Sequence, residues 1–323
     1  MSVAAEDARI RSLRPSRRFA DPYTAHGSLL EAERRPDGRV EQTLTLFAAG
    51  AECPFTCSFC DLWQWSIEGA TPPGALARQV EQVLEPLGAM WPDRFKFYNA
   101  SNFFDARAVP PDDVARIAEL TQSFRAVTVE SHVNTIGATT LAFAQRIPGR
   151  LEVAVGLETI HPVAMTHLNK RLDLPRFDRA AGYLTEHGID LRVFVLLGAP
   201  YVPAIDSIEW TRRTVAYAAE RGASIVSIIP VRGGNGEMER LRDLGHFLPP
   251  KLVDLEAALD ACSVWPATVV TADLWDAERL PACEACRSAR VARLARLNAT
   301  GAPQLRIECG ACATAHGFPL SRE

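Results

Sequence analysis

Seven short runs of apolar and β-branched residues recur along the chain, separated by stretches of helical periodicity. The runs are TLTLFAA (43–49), FKFYNA (95–100), AVTVES (126–131), LEVAVGLE (151–158), LRVFVLLGA (191–199), SIVSIIPV (224–231) and ATVVTADLW (267–275). Between the first two, PPGALARQVEQVLEPLG opens on prolines, which suit a first helical turn, and repeats apolar residues at Leu76, Val80, Val83 and Leu87. PPDDVARIAELTQSF opens on prolines and acids, and DSIEWTRRTVAYAAERG offers Asp206 as an N-cap, Glu209 three residues on and Gly222 as the closing glycine. Strand–helix alternation predicts an α/β fold with a parallel sheet and helices outside, and continuous apolar runs suit strands buried on both faces. Six or more units favour a full or partial β/α barrel of the (β/α)6 kind; an open doubly wound sheet stays open as the alternative. In such barrels the chemistry sits just after the strands, so those residues are the ones to read.

The chain has 323 residues, 47% apolar and 23% charged, enough for one large domain and a smaller one. A net charge of −4 makes the whole molecule no electrostatic trap for nucleic acid, though a local patch is compatible with it. Only Lys96, Lys170 and Lys251 among the 35 basic residues are lysines, so an excess of arginine carries little weight. The N-terminus lacks the apolar core of a secretory signal, and no run approaches the ~18 consecutive apolar residues of a membrane span. A reducing cytoplasm is the expected compartment, where clustered cysteines serve as metal ligands or catalytic groups. Residues 1–42 read as an N-terminal extension without assigned structure, in which RRPDG (34–38) is a turn; 43–275 read as the barrel and 276–323 as a cysteine-rich tail.

Directly after the first strand stands ECPFTCSFCDLW (52–63), which places Cys53, Cys57 and Cys60 in a C-x3-C-x2-C pattern. Three thiolates can hold three irons of a cubane 4Fe–4S cluster and leave the fourth iron to an exogenous chelating group. A zinc site completed by a distant ligand, or three small buried residues, are the competing readings.

This motif on a strand-end loop, with Phe59 before its last cysteine, resembles that of the radical S-adenosylmethionine (SAM) enzymes, and the resemblance runs over roughly residues 43–275. It implies that SAM chelates the open iron and that an electron donor such as a flavodoxin or ferredoxin serves the cluster. It also implies that reductive cleavage of SAM yields a 5′-deoxyadenosyl radical that takes a hydrogen from substrate. Where the family carries a glycine- and glutamate-rich turn after the second strand, this chain has YNASNFFDARAVPPDD, and Asn99, Ser101 and Asn102 stand in its place. That turn, with VTVESH, EVAVGLET, LNKR and GAP, resembles the subgroup of the archaeosine-synthase radical SAM subunit and the Elongator-type enzymes. By the same resemblance Glu130 or Ser131 contacts the SAM ribose, Glu158 is a second polar contact, and Lys170 or Arg171 pairs with the SAM carboxylate. The plainer readings are that the two glutamates satisfy backbone donors at the rim and that the basic pair is solvated. VRGGNGEM (231–238) follows the sixth strand and reads equally well as a ligand-approaching loop or a simple turn.

Toward the C-terminus, Cys283-x2-Cys286 and Cys309-x2-Cys312 are separated by twenty-two residues, a strong four-thiolate metal signal. Spacing does not choose between zinc and an auxiliary iron–sulfur cluster; ECGAC is similar to a zinc-ribbon knuckle. Arg287, Arg290, Arg293 and Arg296 recur every three residues between the knuckles, either as a basic stripe for a phosphate backbone or as a solvated face. Cys262 closes the helical pattern Leu252, Leu255, Leu259 and is expected in the core. The functional readings are a radical SAM enzyme acting in tRNA nucleoside modification, the same chemistry on a small metabolite or peptide, and a non-catalytic zinc-binding interaction protein. Tyr98, Tyr201 and Cys262 are the candidates for quenching a substrate radical.

Overall fold

The computed structural model describes residues 2–88, 91–262 and 265–315; the end of the cysteine-rich tail, 316–323, lies outside them. In chain order the elements are α1 (Val3–Ser12), β1 (Gly27–Arg34), β2 (Val40–Phe47), α2 (Ala75–Leu84), β3 (Arg94–Tyr98), α3 (Pro111–Leu120), β4 (Ala126–Glu130), α4 (Ala138–Arg146) and β5 (Arg150–Glu158). They continue with α5 (Pro162–His167), α6 (Leu174–Glu186), β6 (Asp190–Leu197), α7 (Ser207–Glu220), β7 (Ala223–Pro230), α8 (Glu237–Asp243), α9 (Leu252–Cys262), β8 (Val269–Ala272), α10 (Arg287–Thr300) and α11 (Gly310–Ala315).

The seven predicted strands are β2 to β8, all parallel, in one curled half-barrel sheet whose spatial order follows the sequence. An eighth strand, β1, pairs antiparallel with the whole of β2 through a turn at the RRPDG stretch, where Gly38 takes φ 81°. Helices start and stop much as their signals suggest, with two differences: Pro72 and Pro73 precede Gly74, the N-cap of α2, instead of entering its first turn, and α7 lacks the expected cap. Asp206 occupies the N-cap position of α7 but makes no side-chain cap, and Glu209 binds Arg212 and Arg213 instead.

Only one face of the sheet is apolar. Phe95, Phe97, Val127, Val129, Val153, Val155, Val193, Val195, Val226 and Ile228 point outward and pack beneath the helices, each contributing about 2 kcal/mol by burial. Leu76 and Val80 of α2 and Ile117 of α3 meet them from the other side. The expectation of strands apolar on both faces is therefore corrected. In RFKFY the two phenylalanines face the helices, whereas Arg94 and Lys96 point into the barrel, as period-two alternation requires. The inner floor holds Arg35, Arg94, Lys96 and Arg192 against Glu31, Glu33, Glu41 and Glu152. Glu152 sits at its centre, accepting from Arg35 at 2.8 Å and Arg192 at 2.9 Å, and these cations hold its carboxyl well below the usual range against the pull of burial. A buried network of this kind is near neutral for stability while complete and costly once a member is lost.

The two edges of the half-barrel are bridged by α10. Asn298 pairs with both backbone groups of Ala272 on β8, at 2.9 and 2.8 Å, and Gly301 lies against Arg34 on β1. Among the described residues no helix is long and apolar enough to cross a membrane.

Candidate active site

The cysteine loop leaves the C-terminal end of β2 and is held from three sides. Ser58 donates its amide to the Leu168 carbonyl at 2.9 Å. Asn235, from the turn after β7, donates to the carbonyls of Ser58 and Cys60 at 2.8 and 3.1 Å. Asn102, from the turn after β3, points its amide nitrogen at Cys53 Sγ, 3.6 Å away. All three cysteines are free thiols. Burial raises each of them, Cys57 to about 12, with the ammonium of Lys170 acting in the opposite direction on Cys53 and Cys57. Thiols so placed keep their protons until a cationic metal centre displaces them.

Around this loop the strand ends carry polar groups that lack partners. Asn99 is fully buried, and neither the nitrogen nor the oxygen of its side-chain amide has a hydrogen bond; the hydroxyls of Ser101 and Ser58 are likewise buried and unpaired. Each unsatisfied group costs of order 1–3 kcal/mol, so the turn after β3 is shaped for polar atoms that a ligand would bring. Glu130 holds that turn from below by accepting the backbone N–H of Asn99 at 2.8 Å, with the backbone N–H groups of Ala100 and Ser101 beside it. Burial nevertheless pushes its carboxyl up to about 7.

Across the barrel mouth, a bulge between Gly156 and Glu158 turns the Glu158 carboxylate inward at φ 69°, where it pairs with Lys170. A Cβ on Gly156 would strike the ends of both partners, so any larger residue there would push the pair aside. Burial disfavours the ammonium of Lys170, but the Glu158 carboxylate and the neighbouring thiols hold its pKa above the ordinary value. Lys170 also lies 5.9 Å from the Phe59 ring. His132 is kept neutral, at about 3, by burial and the charge of Lys170. It donates its amide to Asn102 at 2.8 Å and its ring lies 4.2 Å from that of Phe55.

No protein-family profile and no curated protein matches the chain. Solved structures do. A radical SAM methyltransferase from Sphaerobacter thermophilus superimposes with a TM-score of 0.50 at 16% identity, over 78% of this chain and 77% of that one. SuiB from Streptococcus suis does so at 0.51 and 13%, over 70% of this chain and 48% of SuiB. The SAM-bound form of SuiB gives 0.50 and 13%, over 70% and 46%. This is the radical SAM fold. At these identities the likeness is one of architecture, and the chain spans about half the length of SuiB.

Within the radical SAM fold the candidate residues fall into distinct environments. Cys53, Cys57, Cys60, Phe59, Asn99, Ser101, Asn102, Glu130, Glu158 and Lys170 gather at the barrel mouth. Ser131 is engaged with Thr135 at 2.6 Å, and Arg171 turns outward to Asp7. Of the three quenching candidates, Tyr98 faces the barrel interior beside Phe194, Tyr201 stacks between His167 and His246, and Cys262 lies in the core. Asn235 and His132 were not singled out from sequence. Asn235 carried a usable signal, an asparagine amid glycines at a strand end, whereas nothing local marked His132.

The second cysteine group also converges. The sulfurs of Cys283, Cys286, Cys309 and Cys312 all lie within 4.8 Å of one another, with Cys283–Cys309 at 4.0 Å and Cys286–Cys312 at 3.8 Å. Arg290 donates to Cys286 Sγ at 3.1 Å and pairs with Glu256; burial opposes its charge, and these two partners raise its guanidinium pKa in spite of it. Neither reading of the arginine stripe holds for its two central members. Arg290 and Arg293 are buried, Arg293 bonds Glu256 and Asp260, and both donate to carbonyls of the segment 304–307. Arg296 alone of the four is exposed.

Proposed function

We propose that the protein is a radical SAM enzyme in which Cys53, Cys57 and Cys60 hold a 4Fe–4S cluster whose open iron takes SAM. The observation that carries this reading is the pairing of three thiols on one strand-end loop with unpaired polar groups at Asn99 and Ser101, on a fold shared with radical SAM enzymes. When bound, the cluster and SAM supply one-electron cleavage and hydrogen abstraction. The chain's own part is to position and shield them. Asn99, Ser101 and Asn102 offer amide and hydroxyl groups to the methionyl end. The Lys170–Glu158 pair supplies a charge beside the thiols. Glu130, from beneath, fixes the turn that presents Asn99. Anaerobically reconstituted protein with dithionite is expected to release 5′-deoxyadenosine from SAM, and Cys53→Ala, Cys57→Ala and Cys60→Ala each to abolish that release. Unchanged release from all three variants contradicts the assignment.

The second site is proposed as structural zinc. A tetrahedral metal with M–S bonds of about 2.3 Å sets its sulfurs about 3.8 Å apart, the spacing found here, whereas the ligands of a cubane sit on separate irons and stand farther apart. For the substrate, tRNA nucleoside modification rests on the turn at 98–105, and a tRNA affinity that falls steeply with salt checks it. Tailoring of a small metabolite or peptide is the second reading. Burial of Arg290 and Arg293 favours it, because the stripe that suggested an RNA contact is consumed inside the protein.

A further inference from the structure

The loop that carries the cysteines is gripped from outside the barrel by α1, and one carboxylate makes the contact. Asp7 accepts from the Thr56 hydroxyl at 2.5 Å, from the Asn169 amide at 2.8 Å, and from Arg171. Asn169 closes the ring by donating to the Thr56 carbonyl at 3.0 Å. Thr56 immediately precedes Cys57, and Asn169 and Arg171 flank Lys170. Both flanking residues are left-handed, at φ 53° and 58°. Such conformations cost a non-glycine residue energy and persist only where the surroundings enforce them. Here Asp7 binds the side chains of both. Its helix is itself anchored elsewhere. Arg9 pairs with the buried Glu237 of α8 at 2.6 Å, and the helix end lies so close to Gly236 that a Cβ there would strike the Leu13 carbonyl.

We propose that Asp7 is a positioning residue for the candidate centre: from a helix outside the barrel it fixes the cysteine loop and the Lys170 turn relative to each other. Its importance to catalysis rests on the functional reading above; its structural role does not. Asp7 touches neither thiol nor Lys170, so it acts through Thr56, Asn169 and Arg171.

The test has two readouts. In metal-free protein, Asp7→Ala is expected to raise hydrogen exchange about tenfold or more in both 54–62 and 167–173, with β5 and β6 unchanged. Asp7→Asn, which keeps the shape and loses the charge on Arg171, is expected to give a smaller rise confined to the same two segments. In reconstituted protein, Asp7→Asn is expected to raise the KM for SAM about tenfold with kcat within about twofold, and Asp7→Glu to restore part of the loss. Exchange that stays unchanged in either segment, or that rises equally across the whole sheet, overturns the proposal. So does a coupled rise in exchange with KM and kcat both unaltered. Wild-type protein that releases no 5′-deoxyadenosine counts against the functional reading alone, since the exchange measurement is made without metal and tests the structural role of Asp7 separately.

Discussion

Four cysteines, two just ahead of α10 and two around the start of α11, hold their sulfurs within 4.8 Å of one another, with Cys283–Cys309 at 4.0 Å, Cys286–Cys312 at 3.8 Å and an arginine donating to one sulfur. Three at the mouth of the barrel sit on a single loop, among an asparagine and two serines whose polar atoms lack partners. The first group has everything a tetrahedral ion requires. The second is one ligand short, and its surroundings are unsatisfied as well. On the proposed reading the difference separates a site that completes the fold from one that takes a ligand, although the ligand atom is the same. It also matches position. The quartet caps α10, which bridges the edges of the half-barrel, whereas the trio lies at the strand ends where β/α barrels carry chemistry.

The largest expected effect comes from opening the closed site. Cys286→Ala is expected to lose the bound zinc and to lower the unfolding free energy by more than about 3 kcal/mol, measured by denaturant titration, because metal binding there is folding energy. The iron content of the trio is expected to survive. Next is Arg293→Met, which removes the buried partner of Glu256 and Asp260 and releases the carbonyls of Gln304 and Leu305; a loss of about 3 kcal/mol is expected from the same titration.

A pH-dependent effect distinguishes the open site. The Glu130 carboxyl is raised from an ordinary 4.5 to about 7 in the folded protein, so between those values the folded state binds more protons than the unfolded one. Stability is then expected to fall as pH rises from about 4.5 to about 7, and Glu130→Gln to flatten that slope relative to wild type in metal-free protein. Smallest of all is Arg296→Ala. As the exposed member of the arginine series, it is expected to change stability by less than about 0.5 kcal/mol, in contrast to Arg293 three residues away.

Both cysteine groups and all seven parallel strands were legible in the sequence, because ligand spacing and strand–helix alternation are local patterns. The eighth strand was not. GSLLEAER and the residue that follows it send Glu31, Glu33 and Arg35 inward, and these charges make sense only once the floor of the barrel supplies Lys96, Arg94, Arg192 and Glu152. The same long-range pairing hid the fate of the arginine stripe. Periodicity put Arg290 and Arg293 on one helix face but could not say that Glu256 and Asp260 of α9 would cover it. Asp7 is the extreme case. It lies 49 residues from Thr56 and 164 from Arg171, and no motif marks it.

Metal analysis per chain tests the contrast between the sites most directly. After anaerobic reconstitution the wild-type protein is expected to hold about four irons and about one zinc. The triple variant Cys53→Ala, Cys57→Ala, Cys60→Ala is expected to lose the iron and keep the zinc. Iron retained by that variant, or zinc filling both sites of the wild type with no iron bound, contradicts the account.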